Sequence, residues 1–285
     1  MNQSNQPLVS VVIPCYNHES FVQDSIQSVI DQTYQNIELI IIDDGSKDGS
    51  VEKIQEMISV CKERFIRFEF RHRPNKGLSA TLNEALKWCQ GEYFSPIASD
   101  DHYLRNKILS QIEKICKFDE VIALSSNISY IDESGSFIRD TKNRERIYSF
   151  EDIFLGKYFL PAASILIKTE VLNEINGYDE TRKIEDWDMW LKLSQRGTIL
   201  FMEEVLSFYR LHETNSSKKI KLMNKERIEI IRKYSSHALF KKALCNVSFI
   251  NFKQSRFESK RYFIVSGCLY IKNLTLYFFS KSFNL

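Results

Sequence analysis

Four short clusters of ionisable residues stand far apart in the chain: Asp43-Asp44, Asp100-Asp101, Glu185-Asp186 and Arg210 with His212. Adjacent carboxylates such as Asp100-Asp101 repel, and they lose solvation on folding unless a cation sits with them. Oxygen ligands select hard divalent ions, Mg²⁺ or Mn²⁺, and such an ion would neutralise a diphosphate leaving group. The same pair could instead cap a helix that starts near Leu104. The presence of Asp43-Asp44 at a second strand end favours the cation. Glu185-Asp186 could take a proton from a hydroxyl as a general base, or simply favour a helix N-terminus through the dipole; residue type alone leaves both open. Arg210 is of a type that holds phosphate oxygens. His212 could ligate a metal or serve in packing. Tyr16 offers a ring face for a base, and Asp44 an acceptor for a base or ribose group.

Positioning these residues requires strand ends. Leu8–Pro14 is a short β-branched run stopped by proline, and Ile37–Ile42 is continuously apolar, as in a strand covered on both faces. Phe65–Phe70 and Tyr93–Ala98 complete four strands. Between them, apolar residues recur at helical spacing over 19–32, from Val51 to Cys61, and from Leu78 to Cys89, and again from Leu104 to Cys116. Strand–helix alternation of this kind predicts a parallel sheet with helices on both faces. Ligands of such sheets sit at the carboxyl ends of the strands: Pro14–Asn17, Asp43–Ser46 and Ser99–Asp101. Beyond residue 118 the pattern changes. Val121–Ile131 and Ser136–Asp140 flank a hairpin turn at 132–135. Further strands are expected at Ala162–Ile167, Thr198–Met202 and Val205–Leu211, with a tryptophan-bearing helix from Glu185. From about Ser217 the chain reads as helical.

Composition narrows the field. The 285 residues are 43% hydrophobic and 27% charged, ordinary for a globular chain of one or two domains. Six cysteines without CxxC or zinc spacing read as reduced core thiols. The loop after the first strand has no GxGxxG, so a dinucleotide site of that kind is disfavoured, and neither GxxxxGK[ST] nor HExxH occurs. The net charge of +2 conceals an asymmetry. Residues 218–285 hold 15 basic and three acidic residues, and the first 217 hold 24 and 34.

Taken together, VSVVIPCYNHESFVQDSIQSVIDQTYQNIELIIIDDGSKDGS, RPNKGLSATLNEALKWCQGEYFSPIASDD, IEDWDMWLKLSQRG and FYRLHETNSS, in that order, resemble the blocks of a family 2 glycosyltransferase of inverting type with the GT-A fold. The resemblance covers roughly residues 8–215. It implies a GT-A-like, Rossmann-like α/β architecture: a mostly parallel central sheet with helices on both faces, plus a C-terminal helical extension. The implied division is a glycosyltransferase domain over 1–216 (nucleotide half about 8–101, acceptor half about 102–216) and a basic, aromatic helical region over 217–285.

Carried over residue by residue, the resemblance implies that Pro14, Tyr16, Asp44, Lys76 and Asp100 contact the nucleotide sugar. Asp101 would ligate Mn²⁺ or Mg²⁺, His212 would be a further metal or diphosphate contact, and Asp186 would be the catalytic base. The implied activity is metal-dependent transfer of one hexosyl or deoxyhexosyl group from a nucleotide-diphosphate sugar to a hydroxyl of a glycan acceptor. A lipid-linked acceptor, as in bacterial surface polysaccharide (O-antigen or capsule) synthesis, fits. The metal block reads Ser-Asp-Asp, with no acid at Ser99, so the pairing of ligands stays open. No QxxRW follows Asp186, which points to addition of a single sugar.

The polar start, Met1 to Pro7, has no signal-peptide core, and Tyr262–Ser280 is interrupted by Lys272, Asn273, Ser266 and Thr275. The expected location is therefore cytoplasmic, with possible attachment to the inner face of the cell membrane. Basic residues interleaved with Phe and Tyr in the tail suit an anionic membrane surface; a solvated bundle with an aromatic core is the alternative. The acidic body argues against nucleic acid as a partner. A non-catalytic nucleotide- or sugar-binding module on the same fold is the competing function. A nucleotidyltransferase would want a glycine-rich phosphate loop that residues 14–19 lack.

Overall fold

The computed structural model describes residues 6–282 apart from 214, 216 and 217, so the boundary expected at 216/217 lies outside the described residues. The chain forms two compact units, and they are not divided at one point in the sequence. The first comprises Met1–Tyr148, Phe159–Glu180 and Lys192–His212; the second comprises Ser149–Tyr158, Thr181–Leu191 and Glu213–Leu285. Two internal segments, one of them bearing Asp186, thus belong with the C-terminal helices.

The first unit is a ten-stranded sheet. The strands and helices from Val9 to Ile115 follow the alternation that the sequence pattern predicts. β1 (Val9–Cys15) lies between β2 (Ile37–Asp43) and β4 (Tyr93–Pro96), both parallel to it, and β3 (Arg67–His72) runs parallel on the far side of β2. Every residue of β2 is buried, which explains why its sequence lacks alternation. The helices α1 (Val22–Ile30), α2 (Ser50–Gln55), α3 (Ile58–Arg64), α4 (Leu78–Leu86) and α5 (Lys107–Ile115) cover it. The single helix read from Val51 to Cys61 is broken in two at Glu56-Met57. The core joins Val11, Ile13, Ile26, Val29, Leu39 and Ile41 to Ile108 and Ile112.

The remaining strands turn the sheet back on itself. β5 (His102–Tyr103) runs antiparallel to β10 (Thr198–Leu211), which is itself parallel to β6 (Val121–Asp132). Two strands were expected in place of β10; a pair of register shifts between Met202 and Ser207 absorbs the extra residues in one continuous strand. The strand expected at Ala162–Ile167 is a single turn of 3₁₀ helix followed by β9 (Leu166–Lys168), which joins β4 to β6 antiparallel to both. β7 (Phe137–Asp140) returns on β6 through Gly135, whose φ of +88° a side chain would strain. β8 (Arg146–Tyr148) pairs with β10, and α7 (Thr169–Glu174) follows β9.

In the second unit, α6 (Phe150–Phe154) opens on a capping box of Ser149 and Asp152. Its other helices are α8 (Glu185–Leu193), whose last two residues belong to the first unit, α9 (Ile220–Arg232), α10 (Phe240–Ser255) and α11 (Lys260–Ser282). α11 meets α10 through both polar and aromatic residues, Phe263 and Tyr270 stacking on Phe252. Ser266 and Asn273 are buried, with Asn273 Nδ2 donating to Ser248 Oγ on α10 at 2.6 Å, while Phe263, Ile264, Val265, Leu269, Ile271, Leu276 and Phe278 are exposed. No helix among the described residues is long and apolar enough to cross a membrane. All six cysteines are free thiols.

Candidate active site

Three loops meet at the carboxyl ends of β1, β2 and β4. The Asp44 amide donates to Cys15 O at 2.7 Å, and Asn17 N donates to Ser46 Oγ at 2.8 Å. Asn17 adopts a left-handed φ of +54°, and its side chain accepts from Lys47 N. His18 N donates to Ser50 Oγ at 2.9 Å. Beyond β4, Ile97 N bonds Val12 O and the chain turns at Ser99–Asp101. β5 follows at once and clips this turn to β10: Leu104 N donates to Leu206 O, and Tyr103 and His102 pair with Ser207 and Phe208. Arg210 and His212, just downstream on β10 and beyond it, are thereby brought beside Asp100 and Asp101.

The two adjacent aspartates do different things. Asp101, only 4% exposed, accepts the Arg210 amide at 2.9 Å. Burial, reinforced by the Asp100 charge, pushes its carboxyl well above the usual carboxylate range. Asp100 instead contacts His212, Oδ2 to Nε2 at 2.7 Å, with His18 Nε2 at 3.9 Å from the same oxygen. One ligand atom from each of His18, Asp100 and His212 lies within 4.8 Å of the other two. The other ring nitrogen of His18, Nδ1, is 2.8 Å from Ser99 Oγ. Burial holds the His18 imidazole below its ordinary range, so the ring is neutral at pH 7.

Arg210, read from sequence as a phosphate-holding group, is an internal clamp. Its Nε donates to Asp100 O at 3.0 Å, Nη1 to Glu133 O and Nη2 to Asp24 Oδ2, each at 2.9 Å, and it lies over the Phe21 ring. It fixes the shape of the aspartate turn. Asp44 is likewise engaged. It pairs with Arg73 and accepts the amides of Lys76 and Gly77 at 2.7 and 2.8 Å, holding the turn into α4. Gly77 has a φ of +92° there. Asp43 takes the buried structural place beside it, accepting from Gly45 N, Ser46 N and Ser46 Oγ, with His72 Nδ1 at 2.7 Å. Tyr16 is 43% exposed, and Pro14 is half-buried. The Lys76 side chain is largely exposed, its Nζ 3.9 Å from Glu84.

Asp186 stands in the second unit at the start of α8, where its Oδ1 accepts the amide of Trp187 at 2.7 Å. Burial raises its pKa from the ordinary aspartate value, against the Trp187 amide and the Arg227 charge that lower it. Burial raises the Glu185 carboxyl too, to about 8, with Asp186 as the second cause. Tyr158 and Arg227 share this environment. Arg227 is held by Asn224, Asn251 and Gln254. Sequence reasoning gave no part to His18, Ser99, Tyr158 or Arg227. For His18 and Ser99 the one signal was their place inside the strand-end loops; for the other two there was none.

Residues 10–175 match the sequence family described as glycosyl transferase family 2. The chain belongs to glycosyl transferase family 2. It is 32% identical over 226 residues to an uncharacterized glycosyltransferase of Rickettsia felis, a match covering 77% of this chain and 37% of that protein. It is 30% identical over 220 residues to one of Haemophilus influenzae, covering 76% and 85%. The chain thus spans little more than a third of the length of the Rickettsia relative. Among solved structures, S. aureus TarS 1-349 in complex with UDP-GlcNAc superposes with a TM-score of 0.69 at 15% identity, covering 94% of this chain and 79% of that one. The mannosyltransferase PcManGT of Pyrobaculum calidifontis, in complex with GDP-Man and Mn²⁺, gives 0.64 at 13%, covering 96% and 81%. These likenesses establish the GT-A fold.

Proposed function

We propose that this chain is a metal-dependent inverting glycosyltransferase that moves one sugar from a nucleotide-diphosphate sugar to a hydroxyl of a glycan acceptor. The observation that carries the reading is the Asp100–His212 pair, 2.7 Å apart at the carboxyl end of the sheet, in a member of family 2. Carboxylate oxygens and an imidazole nitrogen, all nearly buried, fit a divalent cation, and the cation we infer sits at the Asp100–Asp101 turn with Asp101 and His212 as its ligands. When bound, it supplies charge neutralisation for the departing nucleoside diphosphate. Arg210 holds the turn that presents Asp100 and Asp101. Pro14 and the open face of Tyr16 line the nucleoside position, with Asp44 supporting the turn from which Lys76 reaches the diphosphate. Asp186 takes the proton of the attacking hydroxyl. Its pKa, raised chiefly by burial, makes it a stronger base than an ordinary surface aspartate. Retention of that base favours catalysis over a binding module, for which no proton acceptor is needed.

The acceptor we infer is lipid-linked, as in surface polysaccharide assembly, and the exposed apolar arc of α11 with its basic neighbours attaches the chain to a membrane surface. The test is incubation with a panel of nucleotide sugars and Mn²⁺. Release of nucleoside diphosphate without pyrophosphate, dependent on the cation, is expected. Donor binding without turnover over extended incubation with acceptor lipid extracts would assign a binding module, and pyrophosphate release a nucleotidyltransferase. Asp186→Asn should lower transfer by about 10³-fold or more, the scale of losing a general base, with donor affinity by calorimetry unchanged.

A further inference from the structure

We propose that Arg227 binds an oxyanion of the acceptor, a phosphate or a sugar carboxylate, and so makes this chain a transferase for acidic acceptors. The inference rests on Asp186 as the base of the transfer proposed above, and it names the class of molecule that brings that base a hydroxyl.

A guanidinium keeps its charge at any working pH, and withdrawing it from water is costly unless a counter-charge meets it. Arg227, on α9, is half-buried, yet among the described residues no carboxylate lies within ion-pair distance of it. Three neutral oxygens hold one of its nitrogens instead. Nη1 donates to Asn224 Oδ1 at 2.8 Å, to Asn251 Oδ1 at 3.2 Å and to Gln254 Oε1 at 2.6 Å. The cradle is itself fixed: Asn224 and Asn251 are buried, and Asn251 Nδ2 donates to Asn224 O at 2.9 Å, tying α9 to α10. The guanidinium is therefore held at one corner. Its other edge, Nε with Nη2, has no acceptor among the described residues. Two parallel N–H groups on that edge match two oxygens of a carboxylate or phosphate.

The open edge stands beside the base, close enough for Arg227 to lower the Asp186 pKa and for Asp186 to raise that of Arg227. The surroundings tolerate an anion. Glu185, raised to about 8 by burial and then by the Asp186 charge, holds its proton for the most part at pH 7. Arg182 and Lys183 precede α8, against the one charge of Glu226 on α9. Glu226 Oε2 accepts the Lys183 amide at 2.9 Å and lies 3.9 Å from Arg182 Nη1. A neutral acceptor would leave the Arg227 charge unmatched, whereas an oxyanion near the attacking hydroxyl would meet it.

The test measures binding by calorimetry to the full chain, with decyl hexosides, matched hexosyl decyl phosphates and decyl hexuronides as probes. The alkyl tail is common to all, so its contribution cancels. The wild type should bind one acidic class at least 10-fold more tightly than its neutral counterpart, the scale of a charged hydrogen-bonded pair. The phosphate and uronate arms tell which oxyanion is read. Arg227→Gln should lose that preference while donor affinity stays unchanged. Arg227→Lys, which keeps the charge without the fork, should retain only part of it. Equal binding of neutral and acidic probes by the wild type, or no binding of either, would overturn the inference. So would a preference that survives in Arg227→Gln, or a loss that falls on the donor instead. Asp186→Asn separates this from the reading beneath it: if that variant still transfers sugar, the base assignment fails, while a preference for acidic probes that depends on Arg227 would stand. If Arg227→Gln fails to fold, the wild-type preference and Arg227→Lys decide.

Discussion

Asp100 and Asp101 are neighbours in sequence, yet one carboxyl is turned toward two histidines and the other into the protein against the Arg210 amide. Burial, reinforced by the Asp100 charge, raises the Asp101 carboxyl, because a carboxyl sealed from water prefers its proton. The same physics bears on Asp186. Its pKa lies above the ordinary aspartate value, chiefly through burial, so the fraction present as carboxylate rises with pH across a range where a surface aspartate is already ionised. Transfer should therefore fall on acidification with an acid limb above about pH 4, the ordinary aspartate range, measured as kcat/KM against pH. The sign for stability is opposite. A carboxyl whose folded pKa is raised stabilises the fold below its unfolded pKa, and that contribution is lost as pH rises through the folded value. Asp186→Asn should accordingly be at least as thermostable as the wild type at pH 7, with the advantage shrinking toward pH 4. A variant less stable at pH 7 than at pH 4, relative to wild type, would contradict the raised pKa.

Two elements carry consequences beyond their own residues. β5 is only two residues long, yet its pairing with β10 brings residues 100–101 and 210–212 to one place. A strand so short has no periodicity to read, which is why the chain was expected to run straight from the aspartates into a helix. α11 carries the second consequence. Ser266 and Asn273 are buried and Tyr270 stacks on Phe252 of α10, while Ile264, Val265, Leu269, Ile271 and Leu276 are exposed, and Lys260, Arg261 and Lys272 flank them. Lipid offers such an arc what water does not, at about 1.5–3 kcal/mol for each large side chain fully buried. The triple change Ile264→Ser, Val265→Ser and Leu269→Ser should cut binding to vesicles containing anionic lipid about 10-fold or more. Transfer to a soluble acceptor should be retained. Equal flotation of variant and parent would remove the membrane from the account of α11.

For the whole molecule, the acidic first 217 residues and the basic remainder should make the proposed membrane attachment sensitive to ionic strength, since exposed charges interact weakly beyond about 8 Å at physiological salt. A second property belongs to the first unit, where the cation and nucleotide positions are assigned. Ligands that bind only the folded state stabilise it by mass action, about 2.7 kcal/mol at 100 times Kd. Mn²⁺ with the correct nucleotide-diphosphate sugar should therefore raise the melting temperature, and Mn²⁺ alone should raise it less. A panel of donors giving no shift with Mn²⁺ would count against the donor site.

Strand–helix alternation, the apolar run of Ile37–Ile42 and the placement of Asp44, Asp100 and Tyr16 at strand ends were legible in the sequence, because a buried parallel sheet and its loops are encoded by local pattern. The four ordered blocks also made the family legible. What the sequence could not decide was which of two adjacent carboxylates meets His212, that Arg210 clamps the backbone of the aspartate turn, or that His18, some eighty residues from Ser99, lies beside Asp100 and His212. Those facts depend on pairings between strands distant in the chain, and no local periodicity records which strands become neighbours. Sequence determined the elements and the chemistry available at their ends; tertiary contact alone determined which of those groups meet.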